Sequence, residues 1–292
     1  MQIDGQAILA FTPWVAGGWF AMLFAAERLV PLRTATKPGA KRWGLNAVAV
    51  AVAFGTAAVT VSPTASATLQ LVDKQSFGIL QLLPFPPLLT LVCGMLMMDL
   101  SFYYWHRLNH AAPLLWRFHN VHHIDPDLDS TTSFRFHFGE IAYSAGFRFV
   151  QILIIGPPLA AYAVYEAVFI CGTVFHHSNI RLPLQVEQIL NKIFVTPRMH
   201  GVHHSVIRDE TNSNYSVVFR WWDKLHRTLR LNTPQRDIRI GVAAYTTADD
   251  NSAKQVFVMP FESQREYWKT PEGKASRERE PAPGGNEEMM AE

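Results

Sequence analysis

Residues 151–170 read QILIIGPPLAAYAVYEAVFI. The stretch is apolar on both sides of Gly156-Pro157-Pro158. That triplet does not continue a helix, because glycine frees the backbone to turn and proline lacks an amide hydrogen and clashes with the turn before it. Apolar sequence extends outward to about residues 141 and 175. Each arm is then about 15 residues, roughly 22 Å of helix, short for a bilayer core of about 30 Å. The expected element is a helical hairpin that dips into the membrane and returns to the side it came from. Sequence before and after it then shares one compartment.

Both flanks are rich in histidine. All 12 histidines lie between residues 106 and 226. They fall into HRLNH (His106, His110), HNVHH (His119, His122, His123), RFHFGE (His137), FHHSN (His176, His177), HGVHH (His200, His203, His204) and the lone His226. The phrase R-x-H-x-V-H-H occurs twice, at 117–123 and 198–204. Residues three and four apart share a helix face, so each group can direct two or three imidazoles at one point. Imidazole suits iron, zinc, copper and nickel. Four ligands complete a tetrahedral zinc. Eight to ten candidates exceed one ion's needs and match two. No H-E-x-x-H is present, which disfavours a zincin protease, and no Glu-x-x-His pairs mark a carboxylate-type di-iron bundle.

The rest of the chain reads as membrane. Of 292 residues, 49% are hydrophobic and 17% charged, against roughly 25% charged in soluble domains. Three further apolar stretches, Ile8–Val30, Leu45–Val61 and Phe77–Met98, are near the length of a span. The first lacks the basic start and short apolar core of a signal peptide and reads as a retained helix. Pro84, Pro86 and Pro87 suit a break before the third, and Ser62–Ser76 reads as a loop. Arg33, Lys37, Lys41 and Arg42, with no acid among them, place the first loop and the histidines in the cytoplasm by the positive-inside rule. Cys93 and Cys171 both sit in apolar sequence, so neither a disulfide framework nor a thiolate metal site is expected.

The expected fold is an all-α integral membrane protein with about three transmembrane helices, the dipping hairpin, and a cytoplasmic histidine-lined helical cap. Residues 1–232 form the membrane-embedded domain, 233–262 a small soluble extension, and 263–292 a disordered tail rich in charge, Pro and Gly. A net charge of +2 gives no reason to expect nucleic acid.

The ordered set D-x-x-x-x-x-W-H-R-x-x-H, W-x-x-H-x-x-H-H, H-S-N, T-P-x-x-H-x-x-H-H, N-Y and W-D-K-L resembles the fatty acid hydroxylase / sterol desaturase superfamily, from about Glu27 to Arg230. The resemblance implies a membrane-bound non-haem di-iron oxygenase. It would hydroxylate or desaturate a lipid C–H bond with O2, taking electrons from an external ferredoxin or cytochrome with its reductase. The implied iron ligands are His106, His110, His119, His122, His123, His177, His200, His203 and His204, with His176 and His137 as further candidates. The element Arg135–Glu140 lacks the family's proline, and His226 stands where the family has an aromatic residue, so His226 is not carried over. Ligating imidazoles usually donate their second N–H to a carboxylate or carbonyl. Asp99, Glu140, Asn214 and Asp223 are candidates for that role, as are Asp125, Asp127 and Asp129, which could equally cap a helix. A membrane zinc-dependent hydrolase and a non-enzymatic metal carrier or sensor are the competing readings. The substrate class stays open among acyl chain, sterol, carotenoid and polar-lipid head group.

Overall fold

The computed structural model of the chain describes residues 3–36 and 39–276. Among these residues the regular structure is helical, with β contacts limited to isolated bridges, as the apolar runs led one to expect. Helix α1 (Gly5–Leu29) starts at Asp4, whose carboxylate accepts from the amides of Gln6 and Ala7. Helices α2 (Ala40–Val59) and α3 (Val61–Gln75) follow, then a single turn, α4 (Ile79–Leu82). Helix α5 (Pro87–Ala111) opens with Pro87 in its first turn, where a missing amide hydrogen costs nothing. It carries the chain into α6 (Pro113–His123).

The hairpin is α7 (Phe138–Ile155) and α8 (Leu159–His177). Gly156 adopts φ 63° and closes α7 with its amide on the Ile152 carbonyl. The tip is seated by a second glycine: a Cβ on Gly78 would lie 2.5 Å from the Gly156 Cα. The arms have 18 and 19 residues, longer than the expected 15, because α7 begins at Phe138 just after His137 and α8 runs on through His176 and His177. At that length each arm is long and apolar enough to cross a membrane, as are Gly5–Leu29, Ala40–Leu82 and Pro87–Ala111. These five stretches are the expected three and the two arms of the hairpin. Their outward faces expose Phe11, Trp14, Leu88 and Ile154, which suits lipid as the surrounding solvent.

The expected loop at Ser62–Ser76 is a helix. The hydrogen-bond ladder runs across Thr60, whose amide reaches the Thr56 carbonyl and whose own carbonyl accepts from Thr64. Ala65, Thr68, Leu69 and Val72 recur at helical spacing, are buried, and pack α3 on α7.

The cap comprises α6, α9 (Leu184–Leu190), α10 (Pro197–His203), α11 (Arg208–Thr211), α12 (Trp221–His226) and α13 (Ala253–Val258). Residues of the 233–262 stretch do not stand apart from it. Val242, Ala244, Tyr245, Val256 and Met259 share one apolar cluster with Trp116, Val121 and Ile124 of the α6 region and with Ala49 of α2. Tyr267 and Trp268, which fall within the expected disordered tail, pack against the same cluster, and the Arg208 amide bonds to the Ser276 carbonyl. Burying two large aromatic rings holds this part of the tail in place. The remainder, 277–292, lies outside the described residues.

Candidate metal centre

The histidines arrive from four helix ends: His106 and His110 from α5, His119, His122 and His123 from α6, His177 from α8, and His200, His203 and His204 from α10. They converge as two sets. His106, His110, His119, His123 and His203 form one, and His122, His177, His200 and His204 the other, with the candidate ligand atoms of each set within 4.8 Å of one another. All nine residues named as candidates fall in one set or the other, and no carboxylate belongs to either set.

The repeated phrase now has a geometric reading. In H-x-x-H-H the first and last histidines are i and i+4 and lie about 40° apart, while the middle one is turned to the other side, about 60° from the first and about 100° from the last. His119 and His123 serve the first set and His122 the second. The α10 phrase does the reverse: His200 and His204 serve the second set and His203 the first. Each phrase bridges both sets, with roles exchanged.

The ring nitrogens are wired for a cation. Nδ1 of His177 donates to the Thr173 carbonyl (2.8 Å), which fixes its Nε2 as a bare lone pair. Yet Nε2 of His122 and Nε2 of His200 both lie 3.0 Å from it, and Nε2 of His204 lies 3.2 Å from that of His200. One in-plane lone pair does not satisfy two donors at once. Ligand atoms around a shared ion with bonds of about 2.0–2.1 Å have about this separation. In the first set, Nε2 of His119 and His203 and both nitrogens of His110 and His123 are buried with no hydrogen-bond partner. Buried, unpaired polar atoms in such number call for a missing partner. Burial pushes His122, His123, His200 and His204 well below the usual histidine range, with neighbouring imidazoles adding to the effect, and His203 falls to about 3. These rings are neutral at pH 7, the state that ligates. The residues present therefore fit two all-histidine metal sites.

The outer contacts divide the candidate carboxylates. Glu140, in the first turn of α7, accepts from His119 Nδ1 at 2.8 Å and is the one candidate that touches a clustered histidine. Asp99 and Asp223 act one step further out. Asp223 accepts from the amides of Tyr215 and Ser216, and Asp99 from those of Val218 and Phe219 and from Trp222 Nε1. Between them they hold the segment 213–217, whose alternate carbonyls take three imidazole N–H groups. Ser213 receives His203 (2.7 Å), Tyr215 receives His106 (2.8 Å) and Val217 receives His176 (3.1 Å). Asn214 sits at φ 53° and pins the same segment through the carbonyls of Met199 and Arg230. Sequence reasoning missed this ribbon. A backbone carbonyl leaves no residue-type signal, and the polar run NSNYS was the only hint.

The remaining candidates are placed elsewhere. His137 caps α7: its Nδ1 accepts from the Gly139 amide and its Nε2 meets the Phe257 carbonyl, so both nitrogens are committed. His176 is outside both sets, with its ring 4.1 Å from that of His200. His226 bonds to Tyr104 and to the Trp222 carbonyl. Asp125 is pushed up by burial but held down to about 2 by Arg42 and Arg135, and its pair with Arg42 ties the cap to α2. Asp129 accepts from the Thr131 amide and caps the short turn at Ser130–Thr132, and Asp127 accepts from the Thr36 amide.

A cavity of about 220 Å³ opens beside both sets. His106, His119, His122, His176, His177 and His200 line one end. Phe54, Phe102, Phe134, Phe136 and Phe169 line its walls.

Residues 91–228 match the fatty acid hydroxylase family model. Over this stretch the chain is similar to the fatty acid hydroxylase family. The family match begins on α5 and ends just beyond α12, so it encloses every histidine of both sets. An ornithine lipid hydroxylase from Rhizobium tropici is 31% identical over 150 residues, 51% of this chain and 44% of its own length. The human alkylglycerol monooxygenase is 30% identical over 131 residues, 44% of this chain and 28% of its own. The human cholesterol 25-hydroxylase is 27% identical over 139 residues, 47% of this chain and 49% of its own. The chain thus spans less than half the length of these relatives. No solved structure matches it.

Proposed function

We propose that the chain is a membrane-bound, non-haem di-iron oxygenase that hydroxylates a C–H bond of a lipid, using O2 and electrons from an external ferredoxin or cytochrome with its reductase. The observation behind this reading is the partition of nine histidines, eight of them buried and His110 partly so, into sets of five and four beside an apolar cavity. Iron bound there would supply oxygen activation, which no side chain supplies. The all-imidazole donor set suits iron as well as zinc, and the relatives' names as hydroxylases and monooxygenases favour iron and hydroxylation over hydrolysis or desaturation.

The chain's own contribution is positioning. Phe136 stacks on His122 with centroids 4.6 Å apart and lays an apolar ring against the second set. Phe102 and Phe169 form an edge-to-face pair that shapes the cavity for an apolar chain. The ribbon 213–217 and Glu140 fix the imidazole tautomers so that Nε2 faces inward.

We place the cap in the cytoplasm. Arg33 and Arg42, from the basic first loop and the start of α2, bond to cap residues Gln235 and Asp125, so loop and cap share one side. The test is growth of expressing cells under 18O2, followed by mass spectrometry of extracted lipids. A lipid carrying one added 18O, absent with His122→Ala, is expected. No labelled product, in cells supplied with a compatible reductase, would contradict the reading.

A further inference from the structure

The proposed reaction uses the histidine end of the cavity and leaves its other end unexplained. That end holds an ion pair: Arg148 of α7 and Glu166 of α8, 2.9 Å apart, both on helices apolar enough to cross a membrane. Charged residues at such a depth are costly and ordinarily mark a functional site. Arg148 is buried, bonded to Gln151, and Gln151 bonds in turn to Ser101 and to the Met98 carbonyl of α5. Glu166 is less enclosed. Its side chain is 19% exposed, and it lines both the histidine cavity and a second cavity of about 530 Å³ reaching Asp73, Gln81 and Pro157. Its Oε1 is buried beside Arg148 yet accepts no aligned hydrogen bond.

We propose that Arg148 and Glu166 form a recognition site for an uncharged hydrogen-bond donor on the lipid, a hydroxyl being the simplest, and so set which carbon reaches the histidines. The pair is neutral as a whole, so a charged head group would leave an uncompensated charge in the membrane. A carboxylate with acceptor capacity to spare calls for a donor. The distance also suits a ruler. Arg148 lies eight residues along α7 from Glu140, about 12 Å, and Glu166 eleven residues along α8 from His177, about 16 Å. A lipid held at the pair places a carbon of its apolar body, rather than its polar end, at the histidines.

The inference rests on the proposed function only in treating the cavity as a substrate cavity, and its test needs neither metal nor turnover. The purified full chain, stripped of metal in detergent, is titrated with tritiated 1-hexadecanol, with methyl hexadecyl ether as competitor. The ether keeps the oxygen and the chain but has no proton to donate. The ether is expected to compete at least tenfold more weakly than unlabelled hexadecanol. In Arg148→Met/Glu166→Leu, which replaces the pair by apolar groups, the two are expected to compete equally. If that variant does not fold, Glu166→Gln keeps the shape and is expected to narrow the difference several-fold. Equal competition in the unaltered chain would overturn the proposal, as would undiminished discrimination in a folded variant. An absence of iron, by contrast, would defeat the oxygenase reading and leave this binding result standing.

Discussion

Nδ1 of His119 lies 2.8 Å from Oε1 of Glu140, across the gap between α6 and α7. The carboxylate fixes the tautomer that turns Nε2 of His119 toward the first set. Glu140→Ala is expected to weaken metal retention about 10- to 100-fold, the usual effect of losing such a partner. Glu140→Gln retains an acceptor and should lose less. Metal content after dialysis against a graded chelator series checks the order, and equal retention in all three proteins would remove Glu140 from the role.

The two sets differ in number, and that difference is testable. His177→Ala leaves three histidines in a set of four, whereas His203→Ala leaves four in a set of five. Loss of iron on dilution should be greater for His177→Ala. The reverse order would mean that the five-histidine set does not bind as one site.

Asp99 holds the ribbon from the membrane side by accepting three N–H groups, from Val218, Phe219 and Trp222. Asp99→Ala leaves those donors without their acceptor and should cost at least about 2 kcal/mol of stability. Asp99→Asn should fall between. Thermal unfolding in detergent measures this, and an unchanged midpoint would show that the ribbon is held by other contacts.

Acid should destabilise the metal-free chain. Burial holds the His203 pKa down to about 3 in the folded state, and pushes His122, His123, His200 and His204 the same way. Unfolded histidines titrate at about 6.5. Between these values the unfolded state binds more protons, so stability falls as pH drops from about 6.5 toward 3. The unfolding midpoint of chelated protein should decline from pH 7.5 to 5. A flat or rising profile would contradict the burial of neutral rings.

Much of this was legible in the residue pattern, for identifiable reasons. The hairpin turn was written in Gly156-Pro157-Pro158, where backbone chemistry allows little else. The grouping of the histidines was written in i, i+3 and i+4 spacings, which fix faces without tertiary information. What escaped depended on distant contacts. Helix α3 reads as polar because Ser, Thr and Gln cover its outer face, while the apolar stripe from Ala65 to Val72 has meaning only against α7. Tyr267 and Trp268 sit in charged, turn-rich sequence and are held by the cluster around Trp116. The exchange of roles between His122 and His203 needs the relative rotation of α6 and α10, which spacing alone does not contain.

The central claim is two metal sites filled by iron. Metal content per chain, by mass spectrometry on protein purified in detergent and reconstituted with ferrous iron under anaerobic conditions, tests it most directly. The account requires about two irons per chain, falling in His177→Ala and His123→Ala alike. One zinc with no iron taken up, or folded protein that binds no metal, would contradict it.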